Sequence, residues 1–527
     1  MRVADDTLTP LRLQTGLYAM ETASTSPLTA VIDRRLTFLL FVLPISVLLL
    51  SVLAINGGTL IYTLDDPYIH IDLARQIFAG HYGINPGEFS APSSSVLWPF
   101  ILAPFTPLGP VQLWLPLVLN VIFSFLTFSL LSQRLRDLPF RYKAIILGGW
   151  LLATNFYGLI FNGMEHCLQV YLVVMIACGV LNKEFDNVRA SPNGLYVALL
   201  LLPLVRYEGM AVSLPVLAYL FYRGERIRSV SCGVLLLVLL AAFSLFLAHL
   251  GLGYLPSSVI AKSDTTGVVS ILRNAIGQLD KYGWVILALL VSCALLWRRK
   301  PLALLLLSVT GLHMLFGKFG WFGRYEIYWL SFLGVFFLHL ALRHLPMRSV
   351  ALIFGLLPVA FVQLLYTTLA TPLASAAIYN QQYPMAQIAQ RLDAPVAVND
   401  LGLVALTSRQ YVLDLWGLGS IEALTLRKSG QGSAWIEALM ARKGVHYALI
   451  YEEWFPERPA SWIKVGELKM TTPKVAAAYD SVAFYATDET RAATLKTVMQ
   501  GYARDNPQGR FHFDYVSGPA QKSPDPQ

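Results

Sequence analysis

Two adjacent carboxylates, Asp65 and Asp66, open the run TLDDPYIHIDLARQIFAGHYGINPGE. A carboxylate that can reach an acceptor hydroxyl serves as a general base. Two carboxylates beside a phosphate can also hold a divalent cation, although nothing in the sequence requires one. Pro67 suits the first turn of a helix, and Asp66 just ahead of it suits the cap. That duty falls to Asp66 and leaves Asp65 as the better candidate base. His70 lies four residues past Asp66 on the same helix face, as a phosphate contact or equally as a surface histidine. Glu88 closes the run NPGE (85–88).

Cations with unusual neighbours follow later in the chain: Arg206 in RYEG, Lys262 in LPSSVIAKSD and Arg324 in GKFGWFGRYE. Arg binds phosphate through its bidentate fork and Lys as a point charge. A departing phosphate needs such compensation as its bond breaks. Each cation also has a plainer role open to it. Arg206 and Glu208 can form a structural ion pair, and Lys262 can snorkel at a membrane surface. In NGMEH, Glu165 and His166 begin an apolar run, where Glu165 equally suits a helix N-terminus. Trp321, Phe322, Tyr325, Tyr328 and Trp329 read as an interfacial aromatic belt.

The elements that must position these residues are membrane helices. Of 527 residues, 55% are hydrophobic and only 14% charged. Apolar runs fall at 36–55, 110–131, 143–160, 166–182, 194–205, 210–222, 229–250, 283–297, 301–317, 325–342 and 349–369. The run 96–105 is broken by Pro99 and Pro104 and reads as interfacial or re-entrant. The first run lacks a small-residue cleavage pattern and reads as a retained span.

The formal charge of +8 follows the positive-inside pattern rather than a nucleic-acid surface. Arg34 and Arg35 put the N-terminus in the cytoplasm. Lys and Arg then recur in alternate loops, at 134–143, 183–189, 223–228, 298–300 and 343–348. The expectation is a polytopic α-helical protein of about eleven spans with a cytoplasmic tail (1–35). The membrane domain is 36–370, with a catalytic first outer loop at 56–109. Arg206 and Glu208 in mid-membrane would cost roughly 5–7 kcal/mol, so a shallow hairpin with RYEG at its outer tip is preferred over one span. All the unusual loops then share the outer face.

Residues 371–503 alternate β-type runs (PVAVND, QYVLDL, HYALIY, SVAFYAT) with helical ones (SAWIEALMARKG, ETRAATLKTVMQGYARD). They predict an extracytoplasmic α/β domain. The stretch 504–527 reads as a flexible tail. Cys167, Cys178, Cys232 and Cys293 all lie in apolar runs without a CxxC partner, which argues against disulfide, redox or zinc roles. Nucleotide-binding and zinc-protease motifs do not occur.

The acidic pair after the first span resembles that of the GT-C superfamily of glycosyltransferases. The strings DDPYI, NPGE, SSSVLW (93–98), NGMEH, RYEG, PSSVIAK, GRY and DLWGL (414–418) are similar to the subgroup containing the mycobacterial terminal β-(1→2) arabinofuranosyltransferase. Departures from that pattern are Pro67, RYEG and PSSVIAK. The resemblance implies a polyprenyl-phosphate sugar donor, most simply an arabinofuranose, and an extracytoplasmic glycan or protein acceptor. It also implies inversion by single displacement in a bacterial plasma membrane. Asp65 and Asp66 are then the catalytic residues. Arg206, Lys262, Arg324 and His166 would hold the donor phosphate, and His70, Glu88, Glu165 and Glu208 would contact substrate. No cofactor is required, and membrane lipid is the medium rather than nucleic acid the partner. A lipid or sugar transporter is the alternative from another class, and a non-catalytic scaffold is a third.

Overall fold

Each apolar run becomes helical, because a chain in hydrocarbon must satisfy its own backbone hydrogen bonds. The computed structural model describes residues 33–186, 191–262, 276–430, 432–507 and 509–516. Among them, five helices are long and apolar enough to cross a membrane: Arg34–Ile55, Trp98–Arg134, His166–Phe185, Arg226–His249 and Ile327–His344. Met347–Ala360 and Val362–Leu369, bent by 69°, qualify together as a sixth. The other runs are shorter helices: Phe140–Ala153, Asn193–Val205, Met210–Tyr222, Leu279–Leu295 and Lys300–Phe316. At 1.5 Å per residue these fall short of a ~30 Å core. His166–Phe185 is the central helix, buried along almost its whole length. Arg226–His249 instead exposes Val234, Leu237, Val238 and Leu245, an apolar face that suits lipid.

The chain doubles back at RYEG. Arg206 is extended, a short 3₁₀ turn follows, and a second helix starts at Met210. Gly209 packs on Leu202. Ser213 Oγ donates to the Leu199 carbonyl at 2.9 Å. Partners that run backwards in sequence define an antiparallel hairpin.

Helix Asp66–Phe78 carries Pro67 in its first turn and stops before Gly80, whose φ of +82° an L side chain rarely adopts. Pro67 through Ala74 are all buried, polar His70 and Asp72 included, and the helix packs against helix Gly402–Thr407 of the C-terminal domain.

That domain is a six-stranded mixed sheet. Its strands are β1 (Val396–Val398), β2 (Val412–Asp414), β3 (Tyr447–Ile450), β4 (Ile463–Met470), β5 (Ser481–Ala486) and β6 (Phe511–Tyr515). The order is β2-β1-β3-β5-β4-β6. β1 runs parallel to β2 and β3, and the remaining pairs are antiparallel. Helix Ala434–Lys443 covers one face with Ile436 and Leu439, and helix Glu489–Asp505 covers the other with Leu495 and Met499. Within the stretch expected as a tail, residues 504–505 finish a helix and Phe511–Tyr515 form the edge strand. Phe511 and Phe513 pack on the core while His512 and Asp514 face out, the alternation of a half-buried strand.

Candidate active site

The interhelical loops gather at two poles. At one, Lys183 meets Glu225 at 2.9 Å and Arg228 meets it at 3.2 Å. Glu184 there binds Arg299 and Arg223, and Arg134 donates to the Cys178 carbonyl at 2.9 Å. These are residues of loops expected to share the cytoplasmic side. Helix His166–Phe185 runs from this pole to the other, about 30 Å away. The acidic pair and most of the unusual cations meet at that second pole.

Asp65 immediately precedes helix Asp66–Phe78 without capping it. Its Oδ2 accepts from Gly402 N–H at 2.5 Å and its Oδ1 from Leu403 N–H at 2.9 Å. These are first-turn donors of helix Gly402–Thr407, groups that no intrahelical bond satisfies. Burial, and next the Asp400 carboxylate, push the Asp65 carboxyl well above the usual carboxylate range, against the pull of those two N–H groups. Asp66 lies in the first helical turn, and its Oδ2 meets Arg324 Nη1 at 3.1 Å. The Asp66 side chain is 23% exposed, whereas Asp65 is 7% exposed. The expected division is therefore reversed. Asp65 carries the structural duty, toward a different helix, and Asp66 is the more accessible carboxylate.

Arg324 is 2% exposed. Its Nη1 also contacts Met164 Sδ, its Nη2 donates to Tyr325 OH at 3.1 Å, and its Nε has no partner. The loop that delivers it is strained: Trp321 and Phe322 have φ of +47° and +63°, rare for bulky residues. Asn155 Nδ2 holds that loop by donating to the Phe322 carbonyl at 3.0 Å. Arg206 is committed more fully. It donates to Glu165 Oε1 at 2.7 Å, to Glu208 at 2.9 and 3.2 Å, and to Ser94 at 3.3 Å. Glu208 is thus the ion-pair partner of Arg206. Both guanidinium groups lie over the Tyr325 ring, at 5.3 and 4.9 Å from its centroid.

His166 is 1% exposed, and neither ring nitrogen has a hydrogen-bond partner. Its ring meets Tyr325 edge-on at 6.2 Å. Glu165 is fully buried with Oε2 unpartnered, 3.9 Å from His70 Nε2. His70 Nδ1 faces Ser93 Oγ at 3.1 Å. Buried polar atoms without partners are rare, and their concentration here marks a place that a ligand could complete.

One expected member stands apart. Glu88 contacts the C-terminal domain, at 2.8 Å from Lys443, 2.6 Å from Tyr411 OH and 3.1 Å from Ser420 Oγ. Lys262 ends helix Ser257–Lys262, and its side chain lies outside the described residues. The aromatic belt does not form as expected either. Tyr325, Tyr328 and Trp329 are buried, and Trp321 is exposed. Sequence reasoning missed Tyr325 as the floor of the cation cluster. It also missed Asp400, the carboxylate beside Asp65, although its place at the end of the strand-like run PVAVND was a signal. Among the described residues no three His, Cys, Asp or Glu side chains gather as a metal site.

A family described as a domain of unknown function (DUF8728) matches residues 376–485, the core of the C-terminal domain. No curated protein matches the chain. Among solved structures, the chain is similar to ArnT from Cupriavidus metallidurans bound to undecaprenyl phosphate, with 14% identity and a TM-score of 0.47 over 85% of this chain and 98% of that one. The same protein in the apo state matches at 13% identity and 0.47, over 86% and 98%. The apo oligosaccharyltransferase of Archaeoglobus fulgidus matches at 12% identity and 0.41, over 85% and 76%. What the fold defines by itself is a helical protein with several candidate membrane spans and a small C-terminal sheet domain.

Proposed function

We propose that this protein is an integral membrane glycosyltransferase. It moves a sugar, arabinofuranose being the one its motifs favour, from a polyprenyl phosphate to a hydroxyl of an extracytoplasmic glycan or protein. The observation that carries this reading is the pairing of partly exposed Asp66 with buried Arg324, beside the unpartnered Arg324 Nε and His166. A partly exposed carboxylate and a buried guanidinium thus stand in contact at one pole of the helical bundle, which supports a base beside an anion-binding cation.

The chemistry follows from that contact. The donor phosphate competes with Asp66 for Arg324, and the partly exposed Asp66 carboxylate serves as the base. The acceptor oxygen attacks the anomeric carbon, and its proton passes to Asp66. The bond from that carbon to the phosphate oxygen breaks, and the phosphate leaves with the electron pair, stabilised by Arg324. One displacement inverts the anomeric centre. Arg206 already faces two carboxylates and a serine, so its role is to fix Glu165 and Glu208 under the site. Asp65 holds the C-terminal domain on the first outer loop rather than taking the proton.

Purified protein given radiolabelled polyprenyl-phosphate arabinose and membrane glycan should transfer label. Asp66→Asn should lower the rate at least a hundredfold, within the usual worth of a positioned base. Full transfer by Asp66→Asn overturns the mechanism. Movement of the lipid across a bilayer without transfer favours the transporter.

A further inference from the structure

The three parallel strands of the C-terminal domain lie in the order β2-β1-β3. From β1 the chain goes to one side, to β2, and later returns on the other side as β3. The order therefore reverses between β1 and β3. In open α/β sheets, ligands bind beyond the carboxyl ends of the strands at such a reversal. Here the residues just past those ends are Asn399 and Asp400 after β1, and Tyr451 after β3.

They form a polar cluster. Asp400 Oδ2 accepts from Gln382 Nε2 at 2.7 Å and lies 3.0 Å from Tyr451 OH. Gln382 Nε2 also reaches Tyr451 OH at 2.9 Å, and Tyr451 OH reaches Gln381 Oε1 at 2.6 Å. Asn399 Oδ1 accepts from Tyr451 N–H at 2.8 Å. Gln382 is 1% exposed and Asn399 4% exposed, yet Gln382 Oε1 and Asn399 Nδ2 have no partner. One is an acceptor and the other a donor, both buried and unmet, which is a combination that hydroxyl groups satisfy. Asp400 itself is only half-buried, and Trp454 meets Tyr451 edge-to-face with ring centroids 5.5 Å apart. The cluster adjoins the reacting pole, because the helix that receives the Asp65 carboxylate starts two residues after Asp400.

We propose that the carboxyl ends of β1 and β3 form a subsite for the hydroxyl groups of the acceptor's terminal sugar, with Asp400, Gln382 and Asn399 as its polar contacts. This rests on the glycosyl-transfer reading and specifies where the acceptor binds. A neutral polyol suits the site: two adjacent hydroxyls would bridge a carboxylate oxygen and an amide, and the sugar's C–H face would meet Trp454.

The test uses the full-length protein in nanodiscs and a panel of methyl glycosides of common pentoses and hexoses, with binding followed by saturation-transfer NMR. At least one glycoside should bind saturably to the wild type. Asp400→Asn should weaken it at least tenfold, and Tyr451→Phe, which keeps the ring but removes the hydroxyl that orients Asp400, by about threefold. In the transfer assay Asp400→Asn should raise the acceptor KM tenfold and leave the donor KM unchanged, a split that a merely structural defect would not produce. No binding by the wild type, or equal binding by both variants, overturns the subsite. Glycoside binding without any transfer from polyprenyl-phosphate sugars leaves the subsite standing and removes the enzymatic reading. Transfer with an unmoved acceptor KM does the reverse.

Discussion

Asp65 and Asp66 are neighbours with opposite environments, and the difference lies in what each oxygen touches. Both Asp65 oxygens accept backbone N–H groups from another domain, while Asp66 accepts from a side chain that a phosphate could claim. A sequence shows the pair but not those partners, because Gly402 and Arg324 are hundreds of residues away. A third carboxylate on the same helix, Asp72, is 6% exposed with an unpartnered Oδ2. Burial pushes its carboxyl up to about 7, against the Arg75 charge that favours ionisation. Its folded value exceeds the unfolded one of roughly 3.9, so the neutral form is favoured by folding. The associated stability is fully present below about pH 4 and is lost as pH rises toward 7, on the order of 4 kcal/mol over that window. Relative to Asp72→Asn, the melting temperature of the wild type in detergent should therefore fall from pH 4 to pH 7. Asp72→Asn should melt higher than the wild type at pH 8. A difference that does not change with pH would remove Asp72 as a source of pH-dependent stability.

At the scale of elements, the apolar runs were legible because hydrocarbon demands helices, and the doubling back at RYEG was legible from the cost of burying two charges. The strands β1, β2, β3 and β5 were legible as apolar runs between turn signals. Strand β4 was not, since IKVGELKM carries two lysines, a glutamate and a bulge between Lys464 and Gly466. Nor was β6, whose five residues sit beside a polar, proline-containing stretch. The element on which the site most depends is helix Gly402–Thr407, short and unremarkable in sequence. A Cβ at Gly402 would sit 2.1 Å from the Asp65 carbonyl oxygen and 2.7 Å from its Oδ2, both inside van der Waals contact. Gly402→Ala should thus force the domain off the first outer loop, at a cost of about 1–3 kcal/mol. Limited proteolysis should cut the variant faster than the wild type, while an isolated C-terminal fold keeps its strand signal in circular dichroism. Equal resistance would mean that the interface relaxes around the methyl group.

At the scale of the whole molecule, the two poles test the sidedness that charge bias predicts. Lys183, Arg223, Arg228 and Arg299 come from three loops and converge on two glutamates, Glu184 and Glu225. Asp65, Glu165, Arg206 and Arg324 come from the alternate loops and converge at the other end, beneath the C-terminal domain. Loops that alternate in sequence and segregate in space are what helices crossing one membrane produce. The convergence itself was legible, whereas the docking of Glu88 on Lys443 was not, since 355 residues separate them. Labelling can assign the poles to the two sides. Cys167, Cys178 and Cys232 are buried and Cys293 is half-buried in an apolar helix, so the native thiols offer a low background. In intact cells, a membrane-impermeant maleimide should label Glu489→Cys, at the exposed start of the last helix of the C-terminal domain, and should label Arg298→Cys only after lysis. The opposite result would turn the active-site pole toward the cytoplasm, and an extracytoplasmic acceptor would then be out of reach. Equal labelling of both positions before lysis would place the two poles on one side and remove the membrane-crossing arrangement altogether.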